Sequence, residues 1–289
     1  MFATRFLGPV LLLSALAAPV AAQTAQQQWQ LALGNYALST LAQSLGKVIR
    51  GQNVGRAVRR SAVDALAPTG LQHAGMMLVG GDWRLALPGQ VLVQKGAMLQ
   101  RRSMLEQPLF EGFWTSWELD YLWFNLRVDH GQVRLPRVNL ETVRTTLMVR
   151  HPTPTQFDWG RSLTTGVPTR LADRLADGNW GQEAGQLVDL DRDIMANTWP
   201  GPDGGAAVYR HELIHAFQSI RSAALVDVLL HQDAAQNRPL GFLRVNSGIL
   251  SLGRVQTLLG ARQLEHDLRF DEWEADAYSL RTTRPFQVR

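Results

Sequence analysis

The order of apolar and polar residues divides the chain into stretches of different period. Residues 25–46 (AQQQWQLALGNYALSTLAQSLG) and 54–66 (VGRAVRRSAVDAL) repeat at the helical interval. Trp29, Leu33, Tyr36 and Thr40 mark one face of the first, Val54 and Val58 one face of the second. Ala67-Pro68-Thr69-Gly70 predicts a break after the second helix. From Leu71 to Arg150 the period shortens to β-branched and aromatic runs punctuated by Gly and Pro, which predicts a β-rich segment. Within it, Gln90–Gln94 reads as a strand and Asn125–Leu135 as a hairpin turning at Asp129-His130-Gly131. The tryptophan-rich run Phe113–Phe124 is expected to be buried core, the alternative being a substrate-facing aromatic patch, since its spacing suits packing as well as binding.

His151–Gly160 (HPTPTQFDWG), with two closely spaced prolines, is expected to be a linker between an N-terminal region, 23–150, and a second unit, 151–289. Beyond it, Gln186–Leu190 and Asp193–Trp199 read as two short strands, and Pro200–Gly205 (PGPDGG) breaks the chain. No proline or glycine interrupts Ala206–Ala224, where Leu213, Phe217 and Ile220 form an apolar stripe, so this stretch is expected to be a helix. The expected class is α+β: a mixed N-terminal region packed on a short sheet with two crossed helices.

The helix carries HELIH. His211 and His215 are four residues apart, so both imidazoles project from one face and can reach a single Zn²⁺. Glu212 sits about 100° further round, where it reaches an activated water rather than the ion, as a general base should. A metzincin would continue the motif with glycine and a third histidine. Gln218 and Arg221 stand at those positions and exclude that class.

A glutamate from a second helix is the other common third ligand, and the candidates are Glu265, Glu272 and Glu274. The last two lie in FDEWEADAYSL, Phe270–Leu280, a helix with Phe270, Trp273, Ala277 and Leu280 as its buried stripe. Glu272 and Asp276 are one turn apart on one flank. Together they supply a ligand and a carboxylate to accept the other N–H of a ligating histidine. Glu274 points to the far side and is expected to be a surface carboxylate near Tyr278 or Arg281.

Composition narrows the chemistry. The 289 residues include no cysteine, which excludes a disulfide framework and leaves His, Glu and Asp as the zinc ligands. The net charge of +4 is arginine-based, since lysine occurs only at Lys47 and Lys95. Arg56, Arg59 and Arg60 read as a solvated helix face, and no aromatic-interleaved basic stripe points to nucleic acid. Residues 1–22 have the form of a cleavable signal peptide: Arg5, an apolar run Phe6–Leu16, and Val20-Ala21-Ala22 before a mature start at Gln23. The chain is therefore expected to be secreted or periplasmic, with no integral membrane segment after cleavage.

HExxH followed by Glu272, Ala275 and Asp276 in the pattern ExxAD resembles the gluzincin zinc metallopeptidases. The nearest group is the branch of CAAX-processing and heat-shock-type membrane proteases with their soluble relatives, and HELIHAFQ is similar to the short minigluzincin domains. The likeness runs from about Gln186 to about Leu280. It implies a zincin-like domain with His211, His215 and Glu272 as zinc ligands, Glu212 as catalytic base and Asp276 behind His211 or His215. It also implies that a strand before the helix, near Asp193–Thr198, receives an extended peptide. Arg210 departs from the alanine usual before the first histidine, and 23–150 lies outside the likeness.

The leading expectation is thus a zinc-dependent endopeptidase acting on peptide or protein substrates. His231, His266, Tyr278 and Arg281 are candidates to stabilise the oxyanion. Two rivals stand beside it: a catalytically inactive zincin-fold binding protein of the cell envelope, and a zinc hydrolase of peptidoglycan cross-links. Residues 23–150 could also act as a prosegment, an inhibitor domain or a binding domain; without cysteine, any latency would have to be steric.

Overall fold

The computed structural model describes residues 25–175, 181–184, 186–196, 204–229, 243–244 and 270–279. The expected signal peptide 1–22 and the Pro200–Asp203 break lie outside these residues, as do Glu265, His231, His266 and Arg281. Helices α1 (Ala25–Ile49) and α2 (Val54–Asp64) form where their period predicts. Asn53 caps α2 by accepting from the N–H groups of Gly55 and Arg56.

Their buried faces differ from expectation. Trp29 and Leu33 are 68% and 60% exposed, and Val54 and Val58 also face outward. Leu31, Asn35, Ser39, Gln43 and Lys47 line the inner face of α1, with Ala57 and Ser61 on α2. Polar side chains can line an interior when they find partners there. Lys47 meets Asp64 at 2.8 Å, and Gln100 donates to Ser39 at 2.7 Å.

The β-rich reading of the next stretch is overturned. Leu66–Gly81 (α3) and Ala86–Met104 (α4) are helices joined by a short 3₁₀ turn at Trp83–Leu85. Ala67–Gly70 therefore lies inside α3, and Gln90–Gln94 inside α4. Pro68 falls in the first turn of α3, where it has no intrahelical N–H bond to lose. The glycines read as strand punctuation are points of close approach. A Cβ on Gly75 would lie 2.4 Å from the carbonyl oxygen of Gly89, so the two helix backbones touch there.

Strands β1 (Trp117–Tyr121), β2 (Phe124–Asp129), β3 (Gln132–Val133) and β4 (Arg137–Asn139) follow. The first sheet runs β1-β2-β4-β9, where β9 is Leu243–Arg244 and β3 pairs with β2. The expected hairpin forms, with His130 and Gly131 at φ 48° and 79°, the twist a two-residue turn requires. The tryptophan-rich run is core only in part: Trp114, Trp117 and Phe124 are exposed, while Leu122 is buried and Phe113 packs on a small apolar cluster. Other inward positions are polar. Asn125 donates to Asp120 at 2.7 Å, and Arg137 donates to Asn125 at 2.6 and 3.0 Å.

After α5 (Leu140–Met148), the segment expected as a linker is built into the second sheet. Thr155–Phe157 is β5, and Trp159 begins α6 (Trp159–Thr165). His151 sits 2.8 Å from Asp189, which also accepts from Arg170 through both oxygens. With β6 (Thr169–Ala172), β7 (Gly181–Ala184) and β8 (Leu187–Asp191), the order is β5-β6-β8-β7, β6 and β8 parallel. Leu187–Asp191 is a strand as expected. Asp193–Ala196 is not: it belongs to helix α7 (Arg192–Ala196), because Asp191 turns the chain by accepting from the Asp193 N–H at 2.9 Å.

Two further helices, α8 (Gly204–Leu229) and α9 (Phe270–Ser279), carry the sequence motifs. The fold is α+β. Its main core joins Met76 and Val93 of α3 and α4 to Val188 and Leu190 of β8 and to Leu213 and Phe217 of α8, so both segments contribute. No described helix is long and apolar enough to cross a membrane.

Candidate metal centre

A helix with an apolar stripe on one side lies at a surface; one apolar all round is buried. Around its motif α8 is buried nearly all round, polar residues included. Tyr209, Leu213, Ile214, Ala216 and Phe217 have no exposed surface, and α3, α4, α9 and the second sheet pack on the helix. His211 and Glu212 are buried with them, at 2% and 7% exposure. Polar groups taken out of water must be compensated inside.

For the histidines the compensation comes from α9. His211 Nε2 and His215 Nε2 stand 3.0 Å apart. Glu272 Oε2 lies 3.3 Å from the first and 3.2 Å from the second. The three side chains form a group that can hold a metal ion. Behind the rings, Asp276 Oδ1 lies 3.0 Å from His211 Nδ1, at hydrogen-bonding distance but out of line. Gln218 Oε1 lies 2.8 Å from His215 Nδ1.

These outer oxygens determine what the inner atoms offer. An oxygen that accepts from Nδ1 selects the tautomer whose Nε2 presents a lone pair, and Gln218 Oε1 is placed to do this for His215. Glu272 adds a carboxylate oxygen. Three atoms that can each bind a cation converge at 3.0–3.3 Å, a spacing that suits an ion held among them.

Glu274 corrects the reading of it as a surface carboxylate. It does point away from Glu272, but that side of α9 faces protein, and Glu274 has no exposed surface. Gln218 Nε2 donates to it at 2.9 Å, and Arg221 grips both its oxygens at 2.9 and 2.8 Å. Gln218, which in the sequence replaced the metzincin glycine and ended HELIHAFQ, and Arg221, which replaced the third histidine, thus carry polar contacts of the centre. Their spacing was the available signal, since residues three apart on a helix are neighbours. Arg210, the other departure, is buried and donates to the Ser279 carbonyl at 3.4 Å, tying α8 to α9.

Tyr278 is fully buried. Its hydroxyl lies 2.6 Å from His73 Nδ1 and accepts from Asn35 at 3.3 Å, so it serves the helix packing. Burial, and secondarily the nearby Glu274, hold the phenol well above its ordinary value of 10.0, so it stays protonated. Burial lowers His73 below its ordinary 6.5. No protein-family model, curated protein or solved structure matches the chain.

Proposed function

We propose that this chain is a zinc-dependent endopeptidase of gluzincin type, acting outside the cytoplasm. The observation that carries the reading is the convergence of His211 Nε2, His215 Nε2 and Glu272 Oε2. Ligands about 2.0–2.1 Å from a tetrahedral Zn²⁺ stand about 3.3 Å from one another. The distances of 3.0–3.3 Å are close to that value. Among the described residues, two imidazoles and one carboxylate from two helices leave a fourth position open, as a catalytic rather than a structural site requires.

Bound there, zinc supplies Lewis acidity and a water acidified toward neutrality. The chain's own residues do the rest. Glu212, beside His211 on α8 and shielded from solvent, takes a proton from the attacking water and returns it to the leaving amine. Asp276 and Gln218 hold the two rings with Nε2 forward. Strand β7, at the end of its sheet and packed on α8, replaces Asp193–Thr198 as the edge for an extended peptide. Among the described residues its only strand partner is β8, so its outer edge can add a substrate strand. Residues 1–22 support export.

Glu212→Gln is expected to keep one zinc per chain and lose peptide cleavage by orders of magnitude. Zinc analysis and a casein or fluorogenic-peptide assay on the purified pair check it. Full cleavage by the variant would remove Glu212 as base, and a zinc-loaded parent that cuts muropeptides but no peptide would reassign the substrate.

A further inference from the structure

The inner face of α1 is polar, and one of its residues leads back to the metal ligands. Asn35, 4% exposed, accepts from Arg221 and donates to the Tyr278 hydroxyl at 3.3 Å. Arg221 holds both oxygens of Glu274, Glu274 accepts from Gln218, and Gln218 Oε1 meets His215 Nδ1. The contacts run unbroken from the first helix to the second histidine, through side chains of three helices.

Their chemistry gives this line a direction. A guanidinium only donates, so Glu274, with Arg221 on both oxygens, is left to accept from Gln218. The NH₂ of Gln218 must face Glu274, and its oxygen must then face His215. An oxygen at 2.8 Å selects the tautomer with the proton on Nδ1. Asn35 in turn restrains Arg221, whose charge orients the carboxylate.

We propose that Gln218, Glu274, Arg221 and Asn35 are a positioning relay that fixes the tautomer and ring orientation of His215. On this basis α1 is a built-in support of the metal centre and not a detachable prosegment lying over it. The inference rests on the metal-binding reading for its consequence, but the tautomer it assigns exists without metal.

The test uses the full chain. Nitrogen-15 NMR of the metal-free parent should show His215 with the proton on Nδ1, and chelator competition gives its zinc affinity. Gln218→Leu should mix the tautomers and weaken zinc binding about 10–100-fold. Gln218→Glu keeps an acceptor for Nδ1 but sets two carboxylates face to face, so it should displace the side chain and the ring and weaken zinc binding by a similar factor. Adding Glu274→Gln to Gln218→Glu puts a donor behind the acceptor at His215, and should return affinity to within a few-fold of the parent. A merely structural role would not produce that rescue.

Asn35→Leu should lower affinity several-fold with unchanged stoichiometry and circular dichroism. A folded Gln218→Leu protein with the parent's tautomer and zinc affinity would overturn the relay. So would the proton on Nε2 of His215 in the parent, or a double variant no better than Gln218→Glu alone. If Gln218→Leu does not fold, the parent tautomer and the double variant still decide. A parent that binds no zinc yet holds the proton on Nδ1 would remove the metal reading and leave the positioning intact.

Discussion

Asp276 and Gln218 stand behind different histidines, one with a carboxylate and one with an amide. Losing the acceptor behind His211 frees the ring to rotate and to move its proton, so Asp276→Ala is expected to weaken zinc binding about 10–100-fold with the fold retained. Isothermal titration or chelator competition measures it, and Asp276→Asn, which keeps an oxygen at that position, should lose less. An unaltered affinity in Asp276→Ala would show that the 3.0 Å contact does not orient the ring. His73 carries a second residue-scale expectation. Its folded value is depressed by burial below 6.5, so the unfolded chain binds the proton first. His73 therefore contributes stability that is fully present above pH 6.5 and is lost as pH falls through its lowered value. Thermal melts taken between about pH 7.5 and 5 should decline less steeply in His73→Gln than in the parent. Parallel declines would acquit His73.

Among the elements, α9 is placed by backbone contact as much as by side chains. A Cβ on Gly80 of α3 would lie 2.1 Å from the carbonyl oxygen of Tyr278, a collision with main chain that no rotamer relieves. Gly80→Ala must push α9 away from α3, and with it Glu272. It is expected to destabilise the protein by about 1–3 kcal/mol and to weaken metal binding as well. Denaturant melts and zinc titration test both, and a variant as stable as the parent would mean that α9 shifts freely. At this scale some elements were legible and others were not. Period located α1 and α2, because local spacing sets where a helix can form. The same spacing misassigned their faces. Leu33 is outside and Asn35 inside because Tyr278 and Arg221, from elements more than 180 residues away, supply partners for the amide. The α3–α4 hairpin was read as strands because glycines that let two helices touch look, along the chain, like strand punctuation.

For the molecule as a whole, His215 and Glu272 stand 57 residues apart in sequence, so an ion held between them would cross-link α8 to α9. Zinc at about 100 times its Kd should stabilise the folded state by about 2.7 kcal/mol, and chelation should remove that increment. Differential scanning calorimetry with and without chelator checks it. A melting temperature indifferent to both would show that the cluster holds no ion in solution. His211, His215, Glu272 and Asp276 were legible as a set because helical spacing alone puts each pair on one face, and local geometry is a property of sequence. What lies behind them was not. Whether Glu274 meets solvent or Arg221, whether the tryptophans of 113–124 are core or surface, and whether β7 or residues 193–198 offer the edge all depend on which elements pack together. Packing is decided by long-range partners that satisfy buried polar groups, and no periodicity along the chain records them.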